Sequence, residues 1–320
     1  MKEQNIQDPN FTETKFSPLS LKLIIQLAAP HTWPAAILPV LFSAVLVFVH
    51  TKVLSLSMLF SLLCICILMQ AAVNTINDYY DFVKGTDSKE NQDDPEDAVL
   101  VYNNIKPKSA LYLAFSFLGG GLILGVYVIY HAGWIPLAIG LIGALIILLY
   151  SAGKSPLSYL PVGELVSGLC MGGLIPLACY QALSMQFSPL VLLLALPFII
   201  GIALIMFTNN ICDIEKDISA KRKTSAVLLG HTRAQKLYHI LVFAWIISIL
   251  MLLAFFFTYG SVLWIFMLLL MYPSIQALLR NPLIPTTRGQ AMATCLTLNI
   301  GFGAFYITAI LFDAVGTLVI

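Results

Sequence analysis

The sequence has little charge: only 10% of its 320 residues are Asp, Glu, Lys or Arg, whereas a soluble globular domain carries about 25%. Hydrophobic residues make up 59% of the chain, and the mean hydropathy is +0.89. Several apolar runs are long enough to cross a lipid bilayer. The composition therefore excludes an ordinary soluble domain and predicts an all-α polytopic membrane protein.

Two further features are missing. The first 18 residues are polar and mixed in charge, without the apolar core of a signal peptide, so we expect the first apolar segment to remain in the protein. The six cysteines lie mostly inside apolar runs and lack the spacing of a metal or redox motif, which favours small hydrophobic residues over disulfides. The net charge of +1 does not indicate nucleic-acid binding, and we expect no nucleic-acid partner.

The apolar runs have the length of transmembrane helices rather than the alternation of barrel strands. We predict a bundle of nine transmembrane helices, with residues 1–21 as an N-terminal tail and residues 22–320 as a single transmembrane domain. The nine predicted spans are roughly 22–48, 54–80, 109–131, 134–151, 161–183, 188–211, 236–257, 261–279 and 293–312.

The basic residues are distributed very unevenly between the two faces of this bundle. Sixteen of the seventeen Lys and Arg residues fall in the N-terminal tail and in the loops after spans 2, 4, 6 and 8, and only Lys52 falls on the other face. Cytoplasmic loops carry an excess of Lys and Arg, so the N terminus is predicted to be cytoplasmic. Fifteen of the sixteen acidic residues lie on the same face, with Asp313 as the exception. The positive-inside rule does not explain these acids.

One pattern of polar residues occurs twice, at the predicted cytoplasmic ends of spans 2 and 6. Asn77 and Asp81 are four residues apart, as are Asn209 and Asp213, and the two pairs are offset by 132 residues. Residues four apart share a helix face. Two helix ends that bear carboxylates and face each other would form an oxygen-rich site of the kind Mg²⁺ prefers. The alternative is that these are solvated helix ends with Asp and Asn as capping residues.

These motifs resemble those of the UbiA superfamily of intramembrane prenyltransferases. The family's first motif, Asn-Asp-x-x-Asp followed by another Asp, is similar to residues 77–87. Its second motif, Asp-x-x-x-Asp, matches Asp213 and Asp217, and its Tyr-x-x-x-Lys motif matches Tyr150 and Lys154.

Within the superfamily the chain is most similar to the branch that prenylates 1,4-dihydroxy-2-naphthoate. The stretches that carry this likeness are 29–41, 150–164 and 209–230. Ala29 and Cys212 depart from the pattern, since the branch has Arg at these positions, and this leaves the aromatic acceptor open. 4-Hydroxybenzoate or another aromatic acceptor is the alternative within the same chemistry.

The resemblance implies a Mg²⁺-dependent enzyme that transfers a polyprenyl chain from its diphosphate to an aromatic ring carbon. The acceptor that the resemblance implies is dihydroxynaphthoate, in menaquinone synthesis. It implies a bacterial cell membrane location, contact with membrane lipid and an active site facing the cytoplasm. The implied metal ligands are Asp78, Asp81, Asp87, Asp213 and Asp217. The implied catalytic residues are Asn77, Asp78, Asp81, Tyr150, Lys154, Asn209 and Asn210. The residues implied to bind the diphosphate are Lys84, Lys154, Lys221, Arg222 and Lys223.

Other polar residues at the same face have both a functional and a structural interpretation. Asn74 could serve the site or make a helix-end contact, and Tyr79 and Tyr80 could stabilise a cation or belong to an interfacial belt. His31 fits a packed or interfacial histidine, and Glu164 fits either an acceptor contact or a contact with a helix N-terminus.

Two function classes without prenyl transfer are also compatible with a helical bundle. Acidic residues inside a bundle can mark the pathway of a transporter, but here they cluster at one face and none lies in the middle of a span. A non-catalytic lipid-binding protein has no need of so many carboxylates around one site. Both classes are disfavoured by these observations.

Overall fold

A computed structural model describes residues 16–85, 98–151, 153 and 156–319, with side chains up to residue 314. Helices account for most of these residues, and the predicted all-α class is confirmed. The α-helices in chain order are α1 Leu21–Ala28, α2 Pro34–Thr51, α3 Leu56–Lys84, α4 Val99–Asn103, α5 Pro107–Ala132, α6 Trp134–Ser151, α7 Gly163–Ser167, α8 Ile175–Ser184, α9 Leu190–Leu194, α10 Leu196–Cys212, α11 Ile214–Ser219, α12 Ser225–Leu229, α13 His231–Phe256, α14 Leu263–Arg280 and α15 Arg288–Val319.

Eight helical segments within the described ranges are long and apolar enough to cross a membrane. The sixth predicted span, 188–211, is not among them because it is divided into α9 and α10, which meet at Ala195. Helix α10 has 17 residues, slightly short of the usual crossing length of about 20. The count of nine spans and the orientation of the N terminus therefore remain predictions.

The first predicted span, 22–48, is wrong as a continuous helix. Helix α1 ends where Ala29 adopts a left-handed conformation with φ of 47°, and Pro34 begins α2 after a short 3₁₀ turn. The exposed carbonyls of the broken helix are satisfied from α3. The Asn74 side chain donates to the Ala28 carbonyl at 3.0 Å, and the Thr75 hydroxyl donates to the Leu27 carbonyl at 3.1 Å.

A π-helical turn, Gly168–Leu174, joins α7 to α8 and packs closely on α10. A Cβ atom at Gly172 would lie 2.4 Å from the Ile199 backbone nitrogen, and one at Gly168 would lie 2.5 Å from the Ile199 carbonyl oxygen. Only glycine allows this approach of two backbones. The contact fixes the level at which α10 ends, and with it the position of the second acidic motif.

The largest hydrophobic cluster lies among α2, α10, α13, α14 and α15, and it contains the buried side chains of Tyr238, Trp245 and Tyr306. The two tyrosine hydroxyls are hydrogen-bonded, since the Tyr306 hydroxyl donates to the Leu194 carbonyl at 2.9 Å and Tyr238 shares a hydrogen bond with Thr208. This solid half of the bundle supports α10 from behind. The opposite side of α10 faces a cavity.

Candidate active site

A cavity of about 740 Å³ lies between the two helices that carry the acidic motifs. Along α3 its wall is a stripe of residues three or four apart, which spans about 28 Å at 1.5 Å per residue. The α3 residues in this wall are Leu62, Ile65, Cys66, Met69, Gln70, Val73, Asn74, Asn77, Asp78 and Asp81. The stripe is apolar at its start and polar at its end, so the cavity has a hydrophobic part and a charged part.

Small residues of α5 and α6 keep the hydrophobic part open. Gly119, Gly121 and Gly125 line it from α5, and Gly140 and Gly143 line it from α6. Side chains at these positions would occupy the space that the cavity now holds. The walls there suit an extended apolar ligand rather than a small polar one.

Asn77, Asp78 and Asp81 of the first motif lie on one continuous helix, α3. Within α3 the Asn77 amide donates to the Asp81 carboxylate at 3.1 Å, and Asn77 in turn accepts a hydrogen bond from the Ser151 hydroxyl at 3.0 Å. The predicted sharing of one helix face by Asn77 and Asp81 is therefore observed. The end of α6, which carries Ser151 and the cavity-lining Tyr150, orients the first motif.

Arg222 joins the two halves of the site. Its guanidinium lies 2.6 Å from one Asp81 oxygen and 3.6 Å from one Asp217 oxygen. It also stacks over the Tyr159 ring, 4.6 Å from the ring centroid. An arginine between two mostly buried carboxylates offsets their mutual repulsion, since the planar guanidinium can contact both.

The second motif crosses a helix boundary. Helix α10 ends at Cys212, and Asp213 lies between α10 and α11. The pair of Asn209 and Asp213 is bridged by Arg288, whose Nε donates to the side-chain amide oxygen of Asn209 at 3.0 Å and to an Asp213 carboxylate oxygen at 3.1 Å. All three side chains line the cavity.

Asp217 is the most deeply buried carboxylate of the site, with 2% of the residue exposed. Burial raises the pKa of this carboxyl to about 6, against the opposing effects of Arg222 and of the Thr224 hydroxyl, which donates to it at 3.1 Å. Removing a carboxylate from water disfavours its charged form. A cation that binds beside Asp217 would favour the charged form.

Asn210 is held by an acid behind it. Its amide donates to one Glu164 oxygen at 2.9 Å, and the Ser225 hydroxyl donates to the other at 3.1 Å. Glu164 is buried and absent from the cavity wall, whereas Asn210 lines it. Because only the amide nitrogen can donate, Glu164 fixes the orientation of the Asn210 carboxamide. The acid lies in the first turn of α7 and outside the cavity wall. Its contact with Asn210 was named by neither of its two interpretations from sequence.

The predicted basic residues are placed very differently. Arg222 lines the cavity, whereas Lys221 and Lys223 are exposed and absent from its wall. Lys84 also lies outside the wall, where its ammonium donates to the Ser151 carbonyl at 2.8 Å and lies over the Tyr80 and Tyr159 rings. The structure therefore brings only Arg222 of these four to the acidic motifs.

Two predicted residues, Asp87 and Lys154, lie outside the described residues.

Tyr79 and Tyr80 are in edge contact, 5.1 Å between ring centroids, and neither lines the cavity. His31 lies in the cavity wall, at the turn between α1 and α2.

The sequence prediction missed three residues. Lys216 and Arg288 line the cavity, and Tyr159 lies between Lys84 and Arg222. Lys216 could have been found from its spacing, since it follows Asp213 by three residues. Arg288 gave no such signal, because it stands 75 residues from Asp213 and belongs to neither motif.

The donor chemistry of the charged part fits a hard divalent cation. Asp78, Asp81, Asp213 and Asp217 line one cavity, together with the carboxamides of Asn77, Asn209 and Asn210. Oxygen ligands of this kind suit Mg²⁺. In the part of the chain that the structure describes, no three His, Cys, Asp or Glu side chains are close enough to hold one ion. Arginines bridge the carboxylates instead.

Comparisons with known proteins agree with this chemistry. The model of the UbiA prenyltransferase family matches residues 36–312. The 1,4-dihydroxy-2-naphthoate octaprenyltransferase of Bacillus subtilis (strain 168) is 34% identical over 292 residues, which cover 88% of this chain and 90% of that protein. The UbiA prenyltransferase domain-containing protein 1 of Rattus norvegicus is 28% identical over 223 residues, which cover 67% of this chain and 63% of that protein.

The fold has solved relatives as well. A UbiA homolog from Archaeoglobus fulgidus bound to GPP and Mg²⁺ matches with a TM-score of 0.63 and 20% identity, over 89% of this chain and 99% of that one. The apolar helices, the duplicated acidic motif at one cavity and the match of a family model to most of the sequence agree. The chain is an integral membrane protein that belongs to the UbiA prenyltransferase family.

Proposed function

We propose that this prenyltransferase uses Mg²⁺ to transfer a polyprenyl chain from polyprenyl diphosphate to 1,4-dihydroxy-2-naphthoate. The observation that carries the proposal is that both acidic motifs line one end of a cavity whose remaining walls are apolar. The charged end suits a metal and a diphosphate, and the apolar part suits an isoprenoid chain. The similarity to the Bacillus subtilis dihydroxynaphthoate octaprenyltransferase supports the choice of acceptor.

The proposed metal-binding residues are Asp78, Asp81, Asp213 and Asp217 together with Asp87. When bound, Mg²⁺ neutralises the diphosphate and makes it a better leaving group. The Arg222 guanidinium, which already bridges two of these acids, is placed to contact the diphosphate oxygens. Lys154 of the Tyr-x-x-x-Lys motif is proposed to do the same.

Departure of the diphosphate leaves an allylic cation, which water would capture. The apolar walls of α3, α5 and α6 exclude water from the part of the cavity that would hold the chain. Tyr150 lines the cavity and can stabilise the cation with its ring face. The acceptor ring carbon then forms the new bond to the prenyl chain, and loss of the ring carboxylate as CO₂ restores the aromatic ring.

The proposed setting is a bacterial cell membrane, with the charged end of the cavity facing the cytoplasm and with contact to membrane lipid. The concentration of Lys and Arg in alternate loops supports this orientation. In this arrangement residues 1–21 form a cytoplasmic tail, and residues 22–320 form one transmembrane domain with nine spans. The proposed reaction is a step of menaquinone synthesis.

The alternative acceptor is 4-hydroxybenzoate. Ala29 lines the cavity, whereas the dihydroxynaphthoate branch usually has Arg at this position, and this departure is the reason to test a second acceptor. Both acceptors carry a carboxylate, so the departure does not by itself choose between them. Transport across the membrane is less compatible with the cavity, because its described acids all lie at the ends of α3, α10 and α11.

One assay tests the proposal. Purified protein with Mg²⁺ and a polyprenyl diphosphate is offered each acceptor separately, and products are identified by mass spectrometry. We expect a prenylated, decarboxylated naphthalene product and release of diphosphate. If product forms only with 4-hydroxybenzoate, then 4-hydroxybenzoate is the acceptor instead of dihydroxynaphthoate. If no product forms with either acceptor, the proposed function is contradicted.

A further inference from the structure

Arg288 is the first residue of α15 and lies outside both acidic motifs, yet it bonds the second one. Its Nε is within 3.1 Å of both the side-chain amide oxygen of Asn209 and the Asp213 carboxylate. Arg222 lies beside Asp81 of the first motif and also contacts Asp217 of the second. The Asn209–Asp213 pair is contacted by a different arginine, Arg288, which comes from another part of the chain.

The fold places Arg288 firmly. The connection between α14 and α15 is tied by the buried Asn281, whose side-chain oxygen accepts from the Leu283 backbone amide at 2.8 Å and from the Thr287 hydroxyl at 2.9 Å. The His231 ring nitrogen Nε2 also donates to the Leu283 carbonyl at 3.0 Å. The connection that precedes Arg288 is thus held by the side chains of Asn281, just after α14, and of His231, the first residue of α13.

Position 212 does not supply this charge. Cys212, the residue before Asp213, is buried in the hydrophobic core, 1% exposed, and is absent from the cavity wall. The cation that contacts Asn209 and Asp213 comes from α15.

The site must accept two ligands of opposite charge. Without metal, the carboxylates around the cavity repel one another, and an arginine at contact distance reduces that repulsion. With metal bound, the carboxylates are neutralised by the metal, and the guanidinium has several N–H donors suited to diphosphate oxygens. One cation can therefore oppose metal binding and support diphosphate binding.

We propose that Arg288 is the counter-ion of the second motif, competing with the metal for Asp213 and helping to retain the diphosphate once the metal is bound. This inference rests on the proposed function for its second half only. It predicts opposite effects of removing the charge: tighter binding of metal alone and weaker binding of polyprenyl diphosphate. An arginine that only maintained the structure would weaken both.

The test uses Arg288→Gln in the purified full-length protein. Binding of Mn²⁺ alone is measured from the EPR signal of the free ion, and we expect the dissociation constant to fall about threefold, the size of one partly exposed ion pair. The KM for polyprenyl diphosphate at saturating Mg²⁺ is expected to rise about tenfold, the effect of losing one charged hydrogen bond, with kcat within about twofold. Unchanged or weaker Mn²⁺ binding, or an unchanged KM, would overturn the inference.

Two variants keep the result interpretable. Arg288→Lys retains the charge without the planar fork, so we expect Mn²⁺ binding as in the wild type and a KM between those of the wild type and Arg288→Gln. Arg280→Gln removes the same charge from the same connection, at an exposed position outside the cavity wall, and should change neither quantity. Should Arg288→Gln not fold, an Mn²⁺ affinity in Arg288→Lys weaker than in the wild type contradicts the inference.

The Mn²⁺ measurement needs neither prenyl substrate nor acceptor. If the wild type makes no prenylated product while Arg288→Gln binds Mn²⁺ more tightly, the proposed function fails and the counter-ion role at the metal site stands. If prenyl transfer occurs but Mn²⁺ binding does not tighten in Arg288→Gln, the inference about Arg288 fails alone.

Discussion

The two copies of the Asn-x-x-x-Asp pattern are the same in sequence but different in structure. Asn77 and Asp81 lie on one uninterrupted helix and bond each other at 3.1 Å. Asn209 and Asp213 lie on either side of a helix end and are bridged by Arg288. The first pair is organised locally, whereas the second depends on a residue from the far end of the chain. An equal spacing therefore does not give an equal environment.

The largest loss of activity is expected when the carboxylate of either Asn-x-x-x-Asp copy loses its charge. Asp81→Asn and Asp213→Asn keep the shape of the side chain and remove its charge, and we expect each to lower kcat/KM about 10²- to 10³-fold, as for loss of one group that stabilises developing charge. The measurement is steady-state prenyl transfer at saturating Mg²⁺.

Glu215→Gln is the matched control, because Glu215 is an exposed acid of the same loop, outside the cavity wall. It should keep activity within about twofold. If one of the two aspartate variants were fully active, the site would need only one copy, and the idea of a two-sided metal site would be wrong.

Arg222 should show the next largest effect, because it links the copies. Arg222→Lys loses the contact to two carboxylates and the stacking on Tyr159, and a lysine does not replace such a planar contact. We expect the KM for polyprenyl diphosphate to rise about tenfold or more.

Lys221→Gln and Lys223→Gln test the neighbouring positions that the sequence also favoured. Both side chains are exposed and outside the cavity wall, so each change should alter KM less than about threefold. A larger effect of Lys221→Gln than of Arg222→Lys would contradict the assignment of the diphosphate contact to Arg222 rather than to Lys221.

A substitution of Glu164, which lies behind the cavity wall, should distinguish a residue that supports the site from one that contacts the substrate. Glu164→Gln removes the charged acceptor of Asn210 while keeping its size, and losing a supporting partner typically costs about 10- to 100-fold in activity or metal affinity. We expect the lower end of this range, because the Ser225 hydroxyl can still bond the new side chain. An effect as large as that of Asp213→Asn would instead indicate direct contact with substrate.

The smallest effect on activity is expected at Ser151, which supports the first Asn-x-x-x-Asp copy. Ser151→Ala removes the hydroxyl that donates to Asn77 at 3.0 Å, but the bond between Asn77 and Asp81 remains within α3. The loss of one hydrogen bond costs about 1 kcal/mol, so we expect kcat/KM to fall about fivefold. Binding of Mn²⁺ to this variant, measured by EPR, should stay within about twofold of the wild type.

Much of the protein could be predicted without its structure. The low charge and long apolar runs gave the all-α membrane class, and the repeated spacing gave Asn77, Asp81, Asn209 and Asp213, all four of which line the cavity. Such predictions work because hydrophobicity and helical spacing are local properties. The prediction of a continuous first span failed at Ala29. This residue adopts a left-handed backbone conformation between two helices, although the sequence on both sides of it is apolar.

By itself the sequence determined the membrane class, the family motifs and the acids of the site, because each depends on residues close together in the chain. Only the tertiary structure decided which basic residues serve those acids. It placed Arg222, one of the basic residues expected from the sequence, in the cavity wall and left Lys221 and Lys223 outside it, and it brought in Arg288 across 75 residues of sequence. The physical reason is that a carboxylate in a largely buried site needs a cation at contact distance. Helix packing, rather than sequence spacing, determines which cation lies there.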